Sequence, residues 1–134
     1  MTSPDTREQN PRANEIILVV DDDVDFVNLM SMMLTDLGFE VHTALDPQHA
    51  VDLVSSTELE IDLILLDMVM PGMNGVEALP ILSSRAPGAK ILFFSGMEPS
   101  TEVQDLVASG DAGFVLKGSP AKDLYAVIEA MLPP

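Results

Sequence analysis

The 134-residue sequence has no cysteine, two histidines, and only six basic residues against 22 acidic ones, for a net charge of −16. Without thiols, disulfides and thiolate metal sites are excluded. Such negative charge repels phosphate backbones, so direct nucleic-acid binding is not expected. Arg7 and Arg12 lie in a polar N-terminal stretch, which leaves Arg85, Lys90, Lys117 and Lys122 as the bases of the body. Long apolar runs are also missing. None approaches the roughly 20 residues that span a membrane, so no membrane insertion is expected. Met1 to Asn14 lacks the apolar segment of a secretory signal, and a cytoplasmic location is the expectation.

What is present suffices for one folded unit. Hydrophobic residues make up 47% of the chain and mean hydropathy is +0.27, enough to bury a single core. Residues 1–13, with Pro4 and Pro11 among polar neighbours, read as a flexible tail, and 14–134 as one domain without internal repeats.

Ile16 to Val20 is an apolar, β-branched run that ends on Asp21, Asp22 and Asp23. Val24 to Leu37 has helical spacing, with Leu29, Met30, Met33, Leu34 and Leu37 assigned to one face and Gly38 as the C-terminal stop. Phe39 to Ala44 alternates as a short strand. Asp46-Pro47 opens a helix to about Ser55. Leu63 to Leu66 is a strand buried on both faces that stops on Asp67, and Pro71-Gly72 and Asn74-Gly75 then mark turns. A helix is expected over Val76 to Arg85, shortened or kinked by Pro80. Lys90 to Ser95 is the next strand. Thr101-Glu102-Val103-Gln104 offers a capping box for a helix ending near Gly110. Gly113 to Lys117 is the last strand, and Ser119-Pro120 opens a final helix to about Met131. Five alternations of strand and helix call for an α/β fold with a parallel sheet covered on both faces.

Four strands thus end in polar groups: Asp21-Asp22, Asp67, Ser95 and Lys117. In a parallel sheet these ends share one edge, where open α/β folds bind ligands. Carboxylates crowded together need a cation, and oxygen ligands without His or Cys suit Mg²⁺. Lys117 adds a positive charge for a phosphoryl oxygen and Ser95 a hydroxyl donor. Together they form a phosphoryl-transfer site with an Asp nucleophile.

From Glu15 to about Leu132 the chain resembles the receiver domain of two-component response regulators. Four stretches carry the likeness in order and spacing: the strand ending in Asp21-Asp22, the run Leu65 to Gly75 around Asp67, Ser95-Gly96, and Phe114-Val115-Leu116-Lys117. The resemblance implies a doubly wound, flavodoxin-like sheet of five strands in the order 2-1-3-4-5. It implies that Asp67 takes a phosphoryl group from a histidine kinase or histidine phosphotransfer protein. It also implies a Mg²⁺ site, with Mn²⁺ as a substitute, formed by Asp22, Asp67 and the backbone carbonyl of Val69, with Asp21 acting through water. Ser95 and Phe114 would be the switch pair. A stand-alone receiver would then signal to an output protein through its last two helices and last strand, catalysing its own Mg²⁺-dependent phosphorylation and dephosphorylation.

Four positions depart from the family pattern. Gly118 follows Lys117 where the family usually has proline, and Ser95 replaces the commoner threonine. Val69 and Met97 are apolar where many members are polar, which implies poor orientation of the water that hydrolyses the acyl phosphate.

Other readings compete. A phosphohydrolase of the haloacid-dehalogenase type would use Asp21 as nucleophile, but it leaves the loop after Asp67 unexplained and has no room for a cap domain. A receiver-like scaffold without phosphorylation conflicts with a complete set of acids, hydroxyl and lysine. Asp21 to Asp25 is no calcium loop, because Phe26 and Met32 stand where glycine and glutamate are required. Asp23 and Asp25 read as helix-start acids, and His42 and His49 as isolated surface or sheet-edge residues. The nine methionines read mostly as core filler. Phe26 and Val27 are candidates either for donor contact or for core packing.

Overall fold

The computed structural model describes residues 15–56, 60–72 and 74–132. The tail expected over residues 1–13 lies outside them. Five strands, β1 (Ile16–Val20), β2 (Glu40–Ala44), β3 (Leu63–Leu66), β4 (Lys90–Ser95) and β5 (Gly113–Leu116), alternate with five helices. The helices are α1 (Val24–Asp36), α2 (Pro47–Ser56), α3 (Gly75–Arg85), α4 (Thr101–Ala108) and α5 (Ala121–Met131). All strand pairs are parallel, and the order is β2-β1-β3-β4-β5, as the resemblance implied.

Strand periodicity divides the core into two layers. Leu18, Val20, Ile64, Leu66, Ile91 and Phe93 point to one face, where they meet Ala50 and Val54 of α2, Ala78 and Leu82 of α3 and Val103 of α4. Ile17, Val19, Leu63, Leu65, Leu92 and Phe94 point to the other, against Val27, Met30 and Leu34 of α1 and Leu124 and Ile128 of α5. All four side chains of β3 are buried, which accounts for the unbroken apolar run. Each contributes about 1.5–3 kcal/mol relative to exposure.

Several local expectations need correction. The buried stripe of α1 is Val27, Met30 and Leu34. Leu29 points away from it at 52% exposure, and Leu37, past the last helical residue, is partly exposed. The hydroxyl that caps α4 belongs to Ser100, which accepts the Val103 N–H at 3.3 Å; Thr101 is already helical. A capping box stands instead at α3, where Asn74 accepts the Glu77 N–H at 2.8 Å and Glu77 accepts the Asn74 N–H at 3.3 Å. That box starts α3 at Gly75, and the helix runs through Pro80 to Arg85. Proline removes one i→i−4 bond, and the burial of Ala78 and Leu82 on either side of it holds the helix together. Pro120 is the N-cap of α5, without a side-chain cap bond from Ser119. The Asp46 cap of α2 is present, accepting the His49 N–H at 2.7 Å.

Candidate active site

Each site residue is delivered by the end of a strand. The ladder extends one step past β1 and β3: the Asp21 N–H donates to Ala44 O at 3.1 Å, and the Asp67 N–H to Val20 O at 3.0 Å. The Lys117 N–H donates to Ser95 O at 2.7 Å. Asp21, Asp67 and Ser95 are the buried polar residues among those described. Asp22, next along, is exposed. Four short hydrogen-bonded stubs therefore place two carboxylates, a hydroxyl and an ammonium at one rim.

The three carboxylates of Asp21, Asp22 and Asp67 each offer an oxygen within 4.8 Å of the others. Lys117 Nζ lies 2.5 Å from Asp21 Oδ2 and 3.6 Å from Asp67 Oδ2. Asp21 Oδ2 is nonetheless buried without an aligned hydrogen-bond donor, so the ammonium serves it as a charge contact. Its partner oxygen, Oδ1, accepts the Asp23 N–H at 2.9 Å. Asp67 Oδ1 accepts a longer bond, 3.3 Å, from the Val69 N–H. Burial, followed by repulsion from Asp21, raises the Asp67 pKa above the ordinary carboxylate value; the Val69 N–H and Lys117 only partly offset this. For Lys117, burial is the largest single influence and lowers the pKa. The close contact with Asp21 and the negative charges of Asp67 and Asp21 together outweigh it, so the net direction is upward.

One lysine among three carboxylates leaves excess negative charge, and a buried carboxylate oxygen lacks a donor. That set of hard oxygen ligands fits a cation such as Mg²⁺, which takes carboxylates, carbonyls and water. Val69 stands two residues beyond Asp67 with its side chain 57% exposed. Met97, 62% exposed, donates its N–H to Ser95 Oγ at 3.2 Å. Neither side chain brings a hydrogen-bonding group to the rim. Phe114 is half-buried and packs against the core that holds Phe93 and Val103. In register it faces Phe93, two residues before Ser95 on β4.

Two glycines shape the rim. At Gly75 a Cβ would stand 2.6 Å from Asp67 O, 3.0 Å from Met68 Cα and 3.1 Å from the Phe93 ring. With its N–H donating to Met68 O at 2.9 Å, Gly75 ties the start of α3 to the backbone immediately after Asp67. Gly118 has φ +91°, a conformation that a side chain strains. This explains a glycine where the family pattern has proline; the Lys117–Gly118 bond is trans, with no cis peptides among the described residues.

The sequence reading missed the close approach at Gly75, although its Asn-Gly pair drew attention to the turn. It also left Phe26 between two roles. Val27 is core, whereas the Phe26 ring lies under Lys117 Nζ, 4.4 Å from its centroid.

Comparison with known proteins agrees with this geometry. A family model described as the response regulator receiver domain matches residues 17–129. The DNA-binding response regulator MtrA of Mycolicibacterium paratuberculosis is 32% identical over 116 residues, 87% of this chain and 50% of that protein. The chain thus spans about half the length of the curated relatives it matches. Among solved structures, the chemotaxis protein CheY4 of Vibrio cholerae is similar with TM-score 0.78 and 27% identity, over 90% of this chain and 100% of that one. The response regulator TrrA of Thermotoga maritima, solved in complex with Mg²⁺ and BeF, has TM-score 0.73 and 27% identity over 88% and 99% of the two chains.

Proposed function

Because this chain belongs to the response regulator receiver family, we propose that Asp67 accepts a phosphoryl group from a phosphohistidine donor and that the resulting charge redirects the protein's contacts. The observation that carries the reading is the convergence of Asp21, Asp22 and Asp67 within 4.8 Å, beside Lys117 at 3.6 Å from Asp67. A carboxylate oxygen of Asp67 forms the new P–O bond as the P–N bond to the donor imidazole breaks. Asp67 is suited to attack because its Oδ1 holds only one long hydrogen bond. Asp21 is not, because the Asp23 N–H takes one oxygen and Lys117 lies against the other. Asp21, Asp22, Asp67 and the Val69 carbonyl would hold Mg²⁺, or Mn²⁺ with the same oxygen preference. When bound, the ion neutralises charge on the transferring phosphoryl. Lys117 and Ser95 supply a cation and a hydroxyl to the phosphoryl oxygens.

The donor would be a histidine kinase or histidine phosphotransfer protein of the cytoplasm. Ser95 drawn toward a phosphoryl oxygen gives up its bond from the Met97 N–H and vacates space beside β4, which Phe114 fills by changing rotamer. Phosphorylation then shifts a two-state element through differential contacts, and α4, β5 and α5 carry the change to an output protein.

Labelling with acetyl phosphate and Mg²⁺ tests the acceptor: the unaltered chain gains one phosphoryl group and Asp67→Asn none. Equal labelling of the two refutes the assignment. Amide hydrogen exchange with and without beryllofluoride tests the switch. Changes over Thr101–Gly110 and Phe114–Met131 are expected in the unaltered chain and lost in Ser95→Ala; retention in the variant rules out coupling through Ser95.

A further inference from the structure

Lys117 is held from three sides, and only two of them are carboxylates. The third is the Phe26 ring, whose centroid lies 4.4 Å beneath Nζ. Phe26 belongs to the first turn of α1 and is half-buried. Its ring packs against Phe94 of β4 with centroids 5.1 Å apart and planes tilted by 40°. Phe94 is itself buried in the layer under α1 and α5. The aromatic pair thus links a rigid strand to the ammonium. An aromatic face attracts a cation through its quadrupole, the more so where water is kept away, and Lys117 is only 25% exposed in its side chain.

We propose that Phe26 is a positioning residue for Lys117, fixing the ammonium over the carboxylates so that it already stands where a phosphoryl oxygen on Asp67 needs it. This rests on the phosphoacceptor reading above. The flexible four-carbon stem of lysine otherwise gives the charge many places to go. Asp21 draws it to one side of the site, and the Phe26 ring, backed by Phe94, gives the ammonium a fixed face to rest on. Phe26 touches no reacting atom, and its influence passes through Lys117.

The test uses the full chain with Phe26→Leu, which keeps apolar bulk and loses the ring, and Phe26→Tyr, which keeps the ring. The first readout is NMR of the Lys117 ε-methylene, assigned among the three lysines by its loss in Lys117→Arg. Protons above an aromatic face move upfield. The signal is expected upfield in the unaltered chain and in Phe26→Tyr, and at the position of an ordinary lysine in Phe26→Leu. The second readout is the rate of labelling by acetyl phosphate at saturating Mg²⁺. Phe26→Leu should label about three- to tenfold more slowly, the size of one cation–π contact. Its Mg²⁺ midpoint should be unchanged, and Phe26→Tyr should stay within about twofold of the unaltered chain. An unshifted ε-methylene in the unaltered chain overturns the proposal. So does a Phe26→Leu rate within about twofold of the unaltered chain, a tyrosine variant as slow as the leucine one, or a displaced Mg²⁺ midpoint. The NMR readout needs no phosphorylation, so an unaltered chain that fails to label would refute the phosphoacceptor reading while leaving the ring contact to be judged separately.

Discussion

Asp62 and Asp67 flank the same strand, β3, one just before Leu63 and the other just after Leu66, and they are treated in opposite ways. Asp62 is part of the backbone network. Its carboxylate accepts the Ile16 N–H at 2.8 Å, its own N–H donates to Ile16 O, and its carbonyl accepts the Lys90 N–H, both at 2.9 Å. It closes the lower ends of β1, β3 and β4. Asp67 is more deeply buried and less well served, with one 3.3 Å bond and a lysine at 3.6 Å, beside two further acids. A carboxylate tied by a short bond to a backbone donor, in a residue whose own backbone is also in the ladder, has a structural role. One that is desolvated, crowded and short of donors has oxygens left for a cation and an incoming group, as the proposed phosphoacceptor role requires. The presence of a cavity does not make this distinction: one of about 340 Å³ opens beside Asp62, at the edge away from the chemistry, and another of about 490 Å³ beside Met68 and Val69.

The contrast is broken most severely by removing an acid from the upper edge. Asp22→Ala should lose Mg²⁺-dependent labelling by acetyl phosphate, as the unaltered chain should in excess chelator, because the charge of the transferring phosphoryl is then not neutralised. Full labelling in chelator would contradict the oxygen-ligand site. A smaller effect is expected from the apolar rim. Val69→Asn gives water a hydrogen-bonding partner beside the acyl phosphate and should shorten the phosphoryl half-life about tenfold, measured as loss of label after donor removal. An unchanged half-life would show that the rim does not limit hydrolysis.

Stability gives a third probe. The raised pKa means that folded Asp67 keeps its proton to higher pH than the unfolded chain does. Stability therefore falls as pH rises from the ordinary carboxylate value through the raised native one, and the deficit persists at neutral pH. Asp67→Asn cannot ionise. In chelator it should melt about 2–5 °C above the unaltered chain at pH 7, and the gain should disappear below about pH 3.5. A variant that melts lower at pH 7 would mean that Lys117 more than offsets the desolvation. Asp62→Ala sharpens the comparison from the other end. It leaves the Ile16 N–H without its acceptor, costs about 1–2 kcal/mol in urea unfolding, and should change labelling least of all. A large loss of labelling there would dissolve the distinction between the two edges.

Much of this contrast was legible in sequence, for identifiable reasons. A strand buried on both faces must be apolar throughout, so the residue at which the run stops marks the rim; Ile16–Val20 and Leu63–Leu66 show Asp21 and Asp67 this way. Strand order followed only from the resemblance, since local pattern does not say which strands are neighbours. Helix faces were harder to read. Leu29 is apolar yet exposed, and hydrophobicity alone did not separate it from Val27, Met30 and Leu34. Caps slipped by one residue at Ser100, where a neighbouring Thr101 followed by Gln104 imitates the same motif. The box at Asn74 and Glu77 has its signature in sequence, an Asn followed three residues later by Glu, but the Asn-Gly pair at its start signals a turn equally well. The Phe26 contact was beyond reach, because it depends on the angle at which α1 leaves β1 and on a ring three-dimensionally adjacent through Phe94.

The most direct test of the central claim locates the acyl phosphate. After phosphorylation by acetyl phosphate with Mg²⁺, borohydride reduction converts an aspartyl phosphate to homoserine, which peptide mass spectrometry can place. The account predicts homoserine at position 67 and unmodified Asp21, Asp22 and Asp62. Homoserine at position 21 with Asp67 untouched would contradict it.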